Sequence, residues 1–185
     1  GLINADYQTG PLAPDVMMAV INRPAYWAFC WGSGLAAAQW ILAEPARWQG
    51  KTVLDLGSGS GVVAIAAARA GAKTVIACDN DEHALFATRA NAELNQVSLK
   101  YLTDLNLLEG EVDVIFMADV LYDRSNFALL ELAKRHTREL IIADSRVESV
   151  EDAAFTMFHT MSATTQPNLG EFEEYRTVRF FAWPN

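Results

Sequence analysis

Residues 52–71, TVLDLGSGSGVVAIAAARAG, constrain the fold of this chain more than any other stretch. The run TVLDL has a β-branched start and no polar face, so it reads as a buried strand over 52–56. Three glycines at alternating positions follow at once, Gly57, Gly59 and Gly61. The Ala-rich segment 61–71 then reads as a helix that stops at Gly71, a residue free to take the left-handed conformation that ends helices. A strand, a glycine turn and a helix in immediate succession open a βαβ unit. Such units build a mostly parallel sheet with helices on both faces.

The alternation continues. TVIACD (74–79) reads as the next strand, and Asp81 caps a helix over 82–95 with Ala84, Ala87 and Leu94 expected on one face. Strands are expected at 97–102, 112–119 and 139–144, with a helix over about 125–136 between the last two. The aromatic and β-branched run 174–183 reads as a final strand. The first 50 residues hold Pro11, Pro14, Pro24 and a helix over about 33–43. They are expected to pack on the core as an extension, making 1–185 one domain. A chain of 185 residues that is 51% hydrophobic has the material for such a core.

Composition narrows the function classes. No apolar run reaches the roughly 20 residues that span a bilayer, and no basic region followed by an apolar stretch opens the sequence, so neither a membrane span nor a secretory signal is expected. Cys30 and Cys78 lie far apart in apolar surroundings and read as buried free thiols, which points to a reducing, cytoplasmic location. His83, His136 and His159 fall in unrelated segments, so no metal site is expected. Net charge is −9, with 14 Lys and Arg scattered among 23 Asp and Glu. That argues against a nucleic-acid partner. It suits a basic substrate or serves solubility alone. A monomer is expected.

The glycine loop poses the question of which nucleotide it holds. In the dinucleotide pattern G-x-G-x-x-G the third glycine would stand at Val62. Asp55 is more telling, because a carboxylate beneath the loop repels a diphosphate and favours a cationic ligand. S-adenosylmethionine (SAM) carries no phosphate but has an amino group and a sulfonium. Glycines let the backbone approach its amino-acid end. Asp55 would attract the amino group directly or through water. Asp79 would bind the ribose hydroxyls, and Asp104 would accept from the adenine amine. Asp55, Asp79, Asp104 and Asp119 all fall at or just past expected strand ends, so they are placed along one rim. A single such Asp is more often a cap than a ligand contact, but four in succession are not easily so explained.

The pattern D-x-G-x-G-x-G, with an acid after the next strand, resembles motif I and the ribose acid of class I SAM-dependent methyltransferases. The resemblance implies a Rossmann-like seven-stranded, mostly parallel sheet with an antiparallel final strand. The acceptor signal is ADVLYD (118–123). Methyltransferases of adenine amines and glutamine amides carry N-P-P-Y or D-P-P-Y here, but Val120 and Leu121 replace both prolines. D-x-x-Y, with Asp119 and Tyr122, resembles the protein-lysine methyltransferases of the class. PAYWAFCWGSGLAAAQWIL (24–42), DNDEHALFATRANAELN (79–95) and PLAPDV (11–16) extend the likeness to the electron transfer flavoprotein β-subunit lysine methyltransferase branch, whose bacterial relatives are labelled nicotinamide N-methyltransferase-like. It covers most of 11–145.

The resemblance implies SAM contacts from Trp31, Gly57, Ser58, Gly59, Asp79, Leu105 and Ala118, with Gly61 and Asn80 beside them. Bland readings stand next to these: Trp31 as plain core, Ala118 as small only for packing, Tyr122 as a half-buried packing residue. Asp119 is expected to anchor the incoming amine and Tyr122 to wall its channel. The product would be S-adenosylhomocysteine. The substrate would be a lysine in a protein or, alternatively, a small amine or heterocycle; a non-catalytic SAM-binding scaffold is the third reading. The acidic run GEFEEY (170–175) either receives a basic surface or is a solvated hairpin.

Overall fold

A computed structural model describes residues 2–4, 11, 13–168 and 170–184, so Leu12 of the segment 11–16 lies outside the described residues. In chain order come α1 (Pro14–Asn22), a 3-10 turn (Tyr26–Ala28), α2 (Gly32–Ala43), the short α3 (Pro45–Trp48), β1 (Thr52–Leu56), α4 (Val62–Arg69) and β2 (Thr74–Cys78). Then follow α5 (Glu82–Leu94), β3 (Lys100–Leu102), β4 (Val112–Ala118), α6 (Ala128–Lys134), β5 (Thr137–Asp144), β6 (Thr156–Ser162) and β7 (Thr177–Trp183). The sheet order is β3-β2-β1-β4-β5-β7-β6. The first five strands pair in parallel, and β7 runs antiparallel to both neighbours. This is the expected seven-stranded Rossmann-like fold class.

Strand alternation sorts the core into two layers. Val53, Val114 and Phe116 face Ala37, Trp40 and Ile41 of α2 and Val63, Ala66 and Ala67 of α4. Leu54, Leu56, Ile115, Met117, Leu140 and Ile142 face the other way, against Leu130 and Ala133 of α6. Each fully buried side chain of this kind contributes roughly 1.5–3 kcal/mol. Alanines let α2 and α4 come close: a Cβ on Gly34 would sit 3.1 Å from Val62 Cγ1. Arg47 spreads its guanidinium over Trp40 and Trp48 and pairs with Glu139, closing the end of the layer away from the strand tips.

Several expected boundaries move. The strand expected at 97–102 begins only at Lys100, because Gln96 takes a left-handed turn (φ 56°) and Val97 N donates to Ala92 O, which spends these residues on ending α5. The helix expected over 125–136 divides into a 3-10 turn, Arg124–Phe127, and α6. The final strand starts at Thr177, since Glu173–Arg176 forms a 3-10 turn. Asp119 falls just outside β4 rather than within it. Leu94 is 76% exposed, while Ala84 and Ala87 are buried. At 3.6 residues per turn Leu94 lies about 80° round from Ala84, and Thr88 takes its place inside. Helix α1, the short helix α3 and strand β6 were not expected. Cys30 and Cys78 are buried and free. Among the described residues no helix is long and apolar enough to cross a membrane.

Candidate active site

The C-terminal ends of β1 to β5 share one rim, and the strand order reverses between β1 and β4. The connections after these two strands leave in opposite directions, opening a crevice where ligands of open α/β sheets bind. Here the crevice is a cavity of about 600 Å³, in the range of small-molecule sites.

Asp55 stands behind the rim rather than on it. Two residues on from Val53 in β1, it shares that residue's face toward α4, where its Oδ2 accepts from Ala64 N at 3.0 Å. A carboxylate in the first turn of a helix is favoured by the helix dipole. Burial nonetheless pushes its pKa up to about 7, opposed by the Ala64 bond and reinforced by the charge of Asp79. Asp55 lines only a small recess behind the loop, with Ser58, Val62 and the flank of Trp31, and does not line the main cavity. Of the four carboxylates expected on the rim, three stand there, Asp79, Asp104 and Asp119, with Asp55 shaping the loop from beneath.

The loop is held on all sides. Gly57 has φ 76°, and a Cβ there would come 2.7 Å from Val120 Cγ2. Gly61, at φ 81°, starts α4, and a Cβ there would lie 2.6 Å from Thr88 Cγ2. Gly57 N and Ser58 N donate to Cys78 O at 2.8 and 3.1 Å. Gly59 N donates to Asp79 Oδ2 at 2.9 Å. From α5, Thr88 Oγ1 donates to Gly59 O and Asn91 Nδ2 to Ser60 O, at 3.0 and 2.8 Å. Gly57 and Gly59 line the main cavity. Ser58 lines only the recess, and Gly61 lines neither, serving helix packing.

Beyond β2 and β3 the wall carries Asp79, Asn80, Asp104 and Leu105. Asp79 accepts from Gly59 N and Asp81 N, one bond to each oxygen, and burial raises its carboxyl above the usual range. Both internal bonds of Asp104 go to Oδ1, from Asn106 N and Nδ2 at 2.9 Å. A carboxylate offers about four lone-pair sites, so each acid retains acceptor capacity. Leu105 is buried in the floor. The N-terminal segment adds Tyr26, Trp27 and Trp31 to the wall. Trp31 donates from Nε1 to Tyr26 O at 2.8 Å, and its ring lies 5.9 Å from that of Tyr26. It is half-buried at the cavity, not in the core.

The fourth-strand end forms the other half. Asp119 takes a left-handed backbone (φ 53°), which Asp tolerates better than most residues. Ser33 at the start of α2 holds it: Oγ donates to Oδ1 at 2.5 Å and N to Oδ2 at 3.0 Å. Burial pushes its pKa up to about 6, opposed by Ser33, raised by Asp144 and lowered by Arg146. Asn126 Nδ2 donates to Val120 O at 2.8 Å, bracing the turn that lacks the two prolines. Tyr122 is 46% exposed, its ring 6.0 Å from Tyr26. Burial and the Tyr26 hydroxyl raise its phenol above the usual value. Ala118 lies between this group and the glycine loop.

Tyr26, Trp27, Ser33, Asn126 and Arg146 belong to the site and were not singled out from the sequence. Ser33 carried a signal, as a helix-capping residue type at the head of an apolar helix. Arg146 carried another, standing two residues after Asp144, a further strand-end acid. The acidic run 170–175 does not face outward as a unit. Glu171 accepts from Thr165 N and Oγ1, and Glu173 pairs with Arg176.

Four carboxylates on the cavity wall, Asp79, Asp81, Asp104 and Asp119, and a close-approach glycine loop fit a cationic nucleoside. Asp79 and Asp104 border one half of the cavity, Gly57 and Ala118 keep the middle free of side-chain bulk, and Asp119 with Tyr122 borders the other half. Residues 39–166 match the family described as ribosomal protein L11 methyltransferase (PrmA). The electron transfer flavoprotein beta subunit lysine methyltransferase of Danio rerio is 33% identical over 168 residues, covering 85% of this chain and 65% of that protein. The Mus musculus protein of the same name is 43% identical over 101 residues, covering 53% of this chain and 40% of its own length. The chain thus spans about half the length of these curated relatives. Ribosomal protein L11 methylase from Lactobacillus delbrueckii subsp. bulgaricus superposes with a TM-score of 0.61 at 25% identity, over 80% of this chain and 77% of that one. Magnesium protoporphyrin IX methyltransferase from Synechocystis, with bound SAM, shares the fold at a TM-score of 0.61 and 20% identity, over 95% and 86% of the two chains.

Proposed function

The chain belongs to the ribosomal protein L11 methyltransferase (PrmA) family of SAM-dependent methyltransferases, and on that premise we propose that it methylates the side-chain amine of lysine in a protein. The observation that carries this reading is the pairing of Asp119 and Tyr122 at the end of the cavity beyond the glycine loop. The names of the matched relatives support a protein substrate.

The loop at Gly57–Gly59 and the wall residues Asp79, Asn80, Asp104, Leu105, Trp31 and Ala118 would hold the cofactor. When bound, SAM supplies an activated methyl on a sulfonium, which passes to a nitrogen lone pair by in-line displacement and leaves neutral S-adenosylhomocysteine. The chain's own work is alignment, since holding reactants about 3–3.5 Å apart in line supplies much of such a rate enhancement. Asp119 accepts an N–H of the incoming amine through lone pairs that Ser33 leaves open. Its charge stabilises the positive charge that forms on nitrogen. A lysine amine has a free pKa near 10.4 and must shed a proton to react; entry into a partly desolvated site lowers that pKa. Tyr122 and Tyr26 wall the approach.

Tritium-labelled SAM incubated with a cell lysate tests the proposal. Label in macromolecules, recovered as methyllysine after acid hydrolysis, supports it. Label confined to small solutes contradicts it and supports a small amine or heterocycle as substrate. The aromatic wall of Tyr26, Trp27 and Trp31 is the observation that favours this second reading, since it could close over a small acceptor. The two buried free thiols fit a cytoplasmic setting.

A further inference from the structure

Arg146 is a cation in a cavity whose other charged lining residues are acids, Asp79, Asp81, Asp104 and Asp119. It follows β5 by two residues and lines the cavity with Asp119 and Tyr122. Among the described residues its guanidinium makes no hydrogen bond or ion pair; it lies over the Tyr175 ring, 4.7 Å from the centroid. Its backbone is fixed from below. Buried Asp144 accepts from Arg146 N at 2.8 Å and from Val147 N at 3.1 Å through the same oxygen, Oδ1. In a chain of net charge −9, an exposed arginine held in place by a ring and a braced turn, near enough to Asp119 and Asp144 to feel their charges but hydrogen-bonded to neither, keeps its guanidinium donors available to an external anion.

Sheet order says which half of the site it serves. The glycine loop follows β1, and Asp79 and Asp104 follow β2 and β3, on one side of β1; β4 and then β5 lie on the other. Arg146 therefore stands beyond Asp119 from the cofactor loop. Building on the lysine reading, we propose that Arg146 is an acceptor-specificity residue that binds the carboxylate of an Asp or Glu side chain next to the target lysine. Asp119 takes the amine and Arg146 the neighbouring acid, so the two opposite charges match an acid–lysine pair. A guanidinium suits this, because its planar donors engage a carboxylate in bidentate fashion. The cofactor's own α-carboxylate is the other source of this chemistry, and the test separates the two.

Synthetic peptides with one lysine flanked by glutamate, glutamine or arginine are offered with labelled SAM to the wild type, R146Q and R146E, and SAM affinity of each is measured by calorimetry. The wild type should prefer the glutamate-flanked over the glutamine-flanked peptide by about tenfold in kcat/KM, as expected for one charge-assisted hydrogen-bonded contact. R146Q should lose that preference and R146E should favour the arginine-flanked peptide, both with unchanged SAM affinity and melting temperature. Equal use of all flanks by the wild type, or the same ranking in R146Q, overturns the subsite and leaves the lysine reading standing. A tenfold loss of SAM affinity in R146Q overturns it by assigning the arginine to the cofactor. No label in any peptide, with SAM still bound, overturns the lysine reading itself and the subsite with it.

Discussion

Asp55 is a carboxylate sealed behind a loop, at 2% exposure, with one backbone amide for company. Its ordinary pKa is 3.8 and its folded value about 7, so between about pH 4 and 7 the folded chain keeps a proton that the unfolded chain has shed. Its contribution to stability is full below about pH 4 and is lost as pH rises through about 7. Asp55→Asn can still accept from Ala64 N but does not titrate. Its stability relative to wild type should improve steadily across that window, by on the order of a few kcal/mol at about 1.4 kcal/mol per pKa unit. Chemical denaturation at pH 4 and pH 7 measures this, and parallel curves would contradict it. Gly57→Ala would thrust a Cβ against Val120 at a positive φ. It should cost about 1–3 kcal/mol and weaken S-adenosylhomocysteine binding, as melting and calorimetry would report. Gly57, Asp79 and Asp119 were legible in the sequence because backbone geometry and strand ends dictate them. Ser33 carried only the signal of a capping residue type; its partner, Asp119, lies 86 residues away, and no local pattern encodes that pairing.

At the scale of elements, α2 is the part that joins cofactor loop to acceptor site. It packs on α4 through small residues and delivers Ser33 to Asp119. Ser33→Ala removes the Oγ bond and leaves Oδ1 of a buried acid with one donor fewer, a loss of about 1–3 kcal/mol. The same bond holds the Asp119 pKa down, so its removal raises that pKa further. If the carboxylate is the working form, the acid limb of the pH–rate profile moves to higher pH in the variant; an unmoved limb would exclude the role. Two of the elements missed in the sequence, β6 and α1, lack a buried face; the third, α3, is a four-residue turn too short to show a period. Strand β6 is exposed along nearly its whole length and, among the described residues, pairs only with β7, so TMFHTMS shows no apolar alternation. Helix α1 exposes Val16, Met17, Met18, Val20 and Ile21, and so shows no single apolar stripe. The central strands were legible because both faces are buried.

For the whole molecule, local pattern gave strand–helix alternation and hence a parallel sheet. The order in which strands pair is a long-range property, and the seven-stranded arrangement was available only through family resemblance. The acidic balance of the chain has a specific expression: Asp79, Asp81, Asp104 and Asp119 ring the cavity, while Asp55 and Asp144 are buried outside its lining. The central claim is that this rim binds SAM at one end and aligns an amine at the other. Asp119→Asn tests it most directly, since the amide oxygen can still accept from Ser33 while the charge is gone. Calorimetry with S-adenosylhomocysteine and single-turnover methyl transfer at saturating SAM should be measured on the same preparation. The expected result is affinity within about threefold of wild type and transfer slowed by about a hundredfold or more, on the scale of losing a preorganised charge in an active site. Transfer at a near-normal rate with intact cofactor binding would contradict the account.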